Sequence, residues 1–190
     1  APFCVFLNGS CGDINHIDVN SERRRKGHEH SRWMGETLAG DVCEALGDAT
    51  PLPMPSLCVR SAPASLLTTD DAEGADTTEV QVLAFGECAV VGVPAEYFVE
   101  LQLDIKARSP FSVTIVSELT NGWIGYVPTR KAFEENMEHV SGERMAAFDH
   151  MGYEVRSALS RGYLPGVGEA IAETAVGLLL EAHATVDVSG

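Results

Sequence analysis

The sequence predicts an α/β fold, a mixed β-sheet with flanking helices built from about six strands and three main helices. Three observations predict it. Short runs rich in β-branched residues (80–85, 88–93 and 111–116) are flanked by stretches, 27–46 and 171–182, in which apolar residues recur at helical spacing. Gly86-Glu87, between two of the strand-like runs, suits a two-residue hairpin with glycine at its first central position. A 45% hydrophobic content over 190 residues is enough to bury a substantial core, as one α/β unit or as part of a larger domain.

Each element has a local reason. Pro2 to Leu7 is a short apolar run that predicts a buried strand, and it ends in the dense turn signal Asn8 to Asp13. A strand followed by a glycine-rich turn suggests a phosphate cradle, but GxxxxGK[ST] is absent and nucleotide binding is dismissed. Met34, Leu38, Val42 and Ala45 mark an amphipathic helix that stops at Gly47. His28 and His30, two apart at its start, do not share a helix face and read as exposed rather than as a metal pair. Pro51, Pro53 and Pro55 enforce an extended connector before a strand from Leu57. Residues 68–79 carry Asp70, Asp71, Glu73, Asp76 and Glu79 and read as a mobile acidic loop; they lack the EF-hand ligand order.

The hairpin then delivers the chain to Pro94, where a helix is expected, with Tyr97, Leu101 and Ile105 stacked at i, i+4 and i+8. Leu101, Leu103 and Ile105 also alternate as in a strand; length and the Pro94 start favour the helix. Residues 111–116 have the composition of a central strand. Asn121-Gly122 and Gly125 make a loop that presents Trp123 and Tyr126. The charged, methionine-rich stretch 134–152 reads as a lid or partner-binding insertion. Ile171, Ala175, Leu178, Leu179 and Ala182 define the last helix.

Composition removes several classes of function. With 28 acidic against 13 basic residues the formal charge is −15, which argues against a nucleic-acid surface. The basic cluster Arg23 to Lys26 is flanked by Glu22 and Glu29 and reads as solvated. No uninterrupted apolar run of about 18 residues exists, so no transmembrane segment is expected. Five cysteines without CxxC spacing make neither a zinc ribbon nor a disulfide framework, and Cys4, Cys58 and Cys88 are expected as small buried thiols. The chain opens on a strand-like run with neither Met nor a signal-type start, which suggests a processed chain or a fragment.

Two residues stand out as chemistry. Glu96, expected in the first helical turn after Pro94, would meet free N–H groups and the positive end of the helix dipole, which keep a carboxylate ionised. Tyr126 follows the next strand, so both fall at strand carboxyl ends, where α/β layers build their sites. On the local pattern alone, a capping glutamate and a packed tyrosine are the plainer readings. A third candidate, from another class, is Cys11 as a nucleophile with His16 as its base.

Resemblance changes that weighing. PAEYFVEL (94–101), NGWIGYVPT (121–129), GYE (152–154) and LPGVGE (164–169), with FLNGSCGDIN (6–15) before them, resemble in order the carboxyl-terminal half of the neutral/alkaline (non-lysosomal) ceramidase catalytic domain. The matching pieces touch most of the chain from Phe3 to about Leu180. Gly12-Asp13-Ile14-Asn15 is similar to the start of that family's Gly-Asp-Val-Ser-Pro-Asn motif, with Asn15 in place of the serine and His16 in place of the proline. A role resting on the serine hydroxyl is therefore lost, although Asn15 retains hydrogen-bonding capacity.

The resemblance implies a zinc ion held by two histidines, a glutamate and a tyrosine, activating water to attack an amide carbonyl. It places Glu96 and Tyr126 as two of those ligands; Trp123, at the loop's first aromatic position, cannot coordinate through an indole N–H. Tyr153 resembles a tyrosine near that site, to be read either as a hydrogen-bond donor to a developing oxyanion or as a packed side chain with its hydroxyl satisfied, and Asp13 and Asn15 fall in the segment that lines the site. The two histidines have no counterpart in residues 1–190, so zinc is expected only in a site completed by the N-terminal half of the same precursor or by a partner chain. His139 and His150 are a lesser metal alternative. A lipid-type or other small-molecule amide substrate and an extracytoplasmic or secreted location follow from the resemblance alone. The alternatives are a divergent, non-catalytic binding member of the same fold, or the Cys11-dependent hydrolase.

Overall fold

The structure, a computed structural model, describes residues 4–17, 20, 26–50, 57–69, 76–138 and 151–186. The basic residues 23–25, the connector prolines, acidic residues 70–75, His139, His150 and most of 134–152 lie outside the described residues. The sequence suggests a single unit, whereas the chain falls into two: Ala1–Ile14 with Pro55–Gly190, and Asn15–Met54.

In the larger unit the predicted hairpin is present: β2 (Thr77–Phe85) turns through Gly86 at φ 55° into β3 (Cys88–Gly92), with Phe85 opposite Cys88. β1 (Leu57–Ser65) pairs antiparallel to β2, and β5 (Val113–Ser117) pairs parallel to β3, giving the mixed order β1-β2-β3-β5. A parallel neighbour requires a crossover, and α2 (Val99–Arg108) supplies it. One face of the sheet, with Val80, Val82, Ala84, Val91 and Val116 fully or almost fully buried, packs under α5 (Val167–His183) and α2. The predicted stripe Ile171, Ala175, Leu178, Leu179 and Ala182 on α5 is buried there. α3 (Arg130–Glu138) and α4 (Tyr153–Ser160) follow in the chain between β5 and α5.

The opposite face is open. In register across four strands it carries Leu57, Phe85, Cys88 and Val113 in one row and Val59, Leu83, Val90 and Ile115 in the next. Leu57, Val59, Leu83, Val113 and Ile115 are each 38–63% exposed. A solvated sheet face is ordinarily polar, so eight apolar positions here mark a surface suited to cover.

Three expectations are corrected. Pro94 does not start a helix. Glu96–Tyr97 is instead the two-residue strand β4, and α2 begins at Val99 with Phe98 in extended geometry before it. The reason is tertiary: the N–H groups of Glu96 and Phe98 donate to Gly125 O and Val127 O, and that pairing outweighs the local proline signal. Residues 4–7 form no strand; Val5, Phe6 and Leu7 are exposed, because apolar composition makes no strand without a neighbour to hydrogen-bond. The cysteines are not core thiols: Cys4 is exposed, and Cys58 and Cys88 are half-buried.

The smaller unit holds the predicted helix as α1 (His28–Gly47). None of its residues is buried, so its apolar stripe of Met34, Leu38 and Val42 faces solvent. His30 stacks on Trp33, with ring centres 5.4 Å apart. No helix among the described residues is long and apolar enough to cross a membrane.

Candidate functional site

β3 and β5 run parallel, so the chain leaves both at the same edge of the sheet, and the segments that follow them zip together. Val93 N–H donates to Ser117 O at 2.9 Å, Thr120 N–H to Val93 O at 3.1 Å, and Ile124 N–H to Pro94 O at 2.8 Å. Asn121, at φ 60°, turns the loop in the left-handed conformation asparagine tolerates, and its amide reaches Gln81 Oε1 at 2.6 Å. The chain then enters β6 (Tyr126–Val127), parallel to β4, with Tyr126 directly opposite Glu96. Neighbouring strands lie about 4.8 Å apart, so the two side chains leave adjacent backbones.

Around that pair the side chains form one cluster. Trp123 Nε1–H donates to Glu96 Oε2 at 3.0 Å, and the Arg161 guanidinium lies 4.7 Å from the Trp123 ring centre. Tyr153, at the start of α4, meets Tyr126 edge-on with ring centres 5.4 Å apart. The Tyr126 hydroxyl is pushed up to about 12, first by desolvation, then by the charge of Glu96 and a hydrogen bond to it. In this environment Tyr126 is a neutral donor towards a carboxylate; a bound cation would reverse the balance. Tyr163 O–H donates to Ile124 O at 2.9 Å and ties the loop to the connector before α5.

A second polar centre stands beside it, and sequence reasoning missed its main residue. Glu118, immediately after β5 and only 5% exposed, accepts from Asn8 Nδ2 (2.9 Å) and Cys11 Sγ (2.9 Å) on Oε1, and from the N–H groups of Cys11 (3.0 Å) and Tyr97 (3.2 Å) on Oε2. One carboxylate thus joins the N-terminal turn, the end of β5 and β4. The available signal was its place: an acid directly after a β-branched strand, at the end where such layers gather polar groups. The turn comes so close that a Cβ on Gly12 would collide with the carbonyl oxygen of Glu96, while Gly12 N–H donates to Tyr97 O at 2.9 Å.

The Cys11 thiol is raised, by burial first and then by its hydrogen bond to Glu118. Its hydrogen-bond acceptor is Glu118, where the sequence suggested His16 as the base. A thiol held protonated beside a carboxylate is a poor nucleophile. Asp13 Oδ1 accepts from Val99 N–H at 2.8 Å, so this carboxylate caps α2 in place of a side chain from the N-cap Phe98. Asn15 belongs to the smaller unit, where its Oδ1 accepts from Ile17 N–H at 3.3 Å. Of the five residues singled out, the structure brings together Glu96, Tyr126 and Tyr153.

Catalytic zinc sites take at least three protein ligands. Glu96 and Tyr126 offer two oxygen donors side by side, which suits one edge of such a site. Among the described residues no group of three or more His, Cys, Asp or Glu side chains is placed to hold a metal ion, so they do not complete it.

The larger unit is an α/β layer with its polar cluster where parallel strands end. Among solved structures this chain is similar to neutral ceramidase from Pseudomonas aeruginosa, with a TM-score of 0.62 and 14% identity over 93% of this chain and 36% of that one. A ceramidase complexed with C2 is also similar, with a TM-score of 0.42 and 18% identity over 60% of this chain and 16% of the other. The first likeness shows the fold: this chain has the architecture of part of a neutral ceramidase, spanning about a third of its length. No family model matches the sequence, and no curated protein does.

Proposed function

We propose that this chain supplies part of the active site of a zinc-dependent amidohydrolase that cleaves an N-acyl, lipid-type amide. The observation that carries the reading is the pairing of Glu96 with Tyr126 across β4 and β6, with Tyr153 edge-on to the tyrosine. Zinc, when bound, would lower the pKa of a water molecule and polarise the amide carbonyl. The chain's own part is to present Glu96 as the anionic donor, Tyr126 as a second oxygen, and the exposed Tyr153 hydroxyl as a hydrogen-bond donor to the substrate's carbonyl oxygen. Asp13 acts at one remove by capping α2, and Glu118 by clamping the backbone next to Glu96.

The remaining ligands, two histidines, come in this reading from an N-terminal half or a partner chain. One observation supports an added layer, the apolar open face of the sheet. A second reading, a non-catalytic binding member of the fold, is favoured by the donor set: among the described residues no group of three or more His, Cys, Asp or Glu is placed to hold a metal ion.

The test is elemental analysis, intact mass and amide hydrolysis on the protein isolated from its source. About one zinc per molecule, a longer or second polypeptide, and N-acyl amide hydrolysis abolished by a chelator are expected. Full hydrolysis by a zinc-free preparation would overturn the metal reading, and zinc uptake without hydrolysis would favour the binding module.

A further inference from the structure

Trp123 is 61% exposed, yet its indole is held at two points. Its Nε1–H donates to Glu96 Oε2 at 3.0 Å, and the Arg161 guanidinium covers its ring at 4.7 Å from the centre. The backbone makes room for this stack. Gly125, at φ 84°, lacks a Cβ, and a Cβ there would lie 2.5 Å from Arg161 Nε. Loop 121–126 and the residue after α4 are thus shaped to put a cation on the outer face of an indole whose inner edge meets a carboxylate.

We infer that Trp123 is a positioning residue for Glu96, with Arg161 holding the indole in place. An unrestrained glutamate side chain spreads over several rotamers, and any ligand must first gather it into one. The indole N–H commits Oε2 and orients the carboxylate plane, so Glu96 meets an incoming cation already directed. Arg161 restricts the indole and draws electron density from its ring, which strengthens the N–H donor. Groups that orient a metal ligand in this way commonly change metal affinity 10- to 100-fold when removed. The consequence for a cation rests on the metal reading proposed above; the positioning contact does not.

The test uses the full chain with Trp33→Phe, which leaves Trp123 as the single indole of the two tryptophans. In the metal-free protein the Trp123 Nε1–H resonance in a 1H–15N spectrum is expected downfield and slow to exchange for so exposed a ring. Glu96→Ala should move it upfield and speed exchange, and Arg161→Gln should do the same to a smaller extent. Replacing Trp123 by benzothienylalanine keeps the ring and the stack but puts sulfur where the N–H was. Zn2+ affinity, read by competition with a chelating dye, should then fall about tenfold or more. An indole resonance indifferent to Glu96→Ala would overturn the positioning role. So would a benzothienylalanine variant whose zinc affinity stays within about twofold of the native chain. If the native chain takes up no zinc while the indole still responds to Glu96→Ala, the cation reading fails and the positioning role stands.

Discussion

Glu118 accepts four hydrogen bonds from three residues, Asn8, Cys11 and Tyr97, while nearly excluded from water. Removing its carboxylate strands the N–H of Tyr97 and that of Cys11, and each unsatisfied buried donor costs about 1–3 kcal/mol. Glu118→Ala should therefore lower the unfolding free energy by roughly 2–4 kcal/mol in urea denaturation, and Glu118→Gln by less, since an amide oxygen still accepts. An Ala variant within about 0.5 kcal/mol of the native chain would show that the clamp contributes little. This residue was hard to read because a lone glutamate has no pattern; only the three segments meeting at it give it meaning. Motif order singles out Glu96, Tyr126 and Tyr153, which stand together, although the helix dipole expected at Glu96 is replaced by strand pairing with Tyr126.

At the level of elements, periodic signals carried well and two-residue ones did not. The hairpin at Gly86-Glu87 and the stripes of α1 and α5 lie within one stretch of chain, so local chemistry specifies them. β4 and β6 are two residues each and exist because segments 30 residues apart pair; no local propensity encodes that. The start of α2 is similar: its cap comes from Asp13, 86 positions away in the chain. If Asp13 acts chiefly as this cap, Asp13→Ala should cost about 1 kcal/mol and Asp13→Asn, which keeps the acceptor, only a few tenths. Thermal denaturation of the two variants checks it. Equal losses in both would mean that the negative charge of Asp13, rather than its acceptor, is what matters.

For the molecule as a whole, α/β layering was legible from alternating strand and helix signals, and strand order was not. The open apolar face was also hidden, because alternation shows that a strand has two faces but not that both are apolar in register with their neighbours. The fold's response to alkali follows from its tyrosines. Burial first of all raises the hydroxyls of Tyr97 and Tyr163 above the usual value near 10. The unfolded chain releases those protons at about pH 10 while the folded chain keeps them, so stability falls as pH rises above about 10; the raised Cys11 thiol adds a loss of the same sign from about pH 9. The urea midpoint should begin to fall near about pH 9 and drop more steeply above about pH 10; a flat midpoint through about pH 11 would contradict this.

The most direct measurement is a zinc titration of the chain followed residue by residue by NMR, with Glu96→Ala in parallel. Weak binding is expected, since two oxygen donors are present where a complete site has at least three protein ligands. The perturbations should centre on Glu96, Tyr126 and Trp123 and vanish in Glu96→Ala. Zinc that perturbs His28 and His30 while leaving Glu96 and Tyr126 unchanged would contradict the proposal that their pairing forms one edge of a metal site.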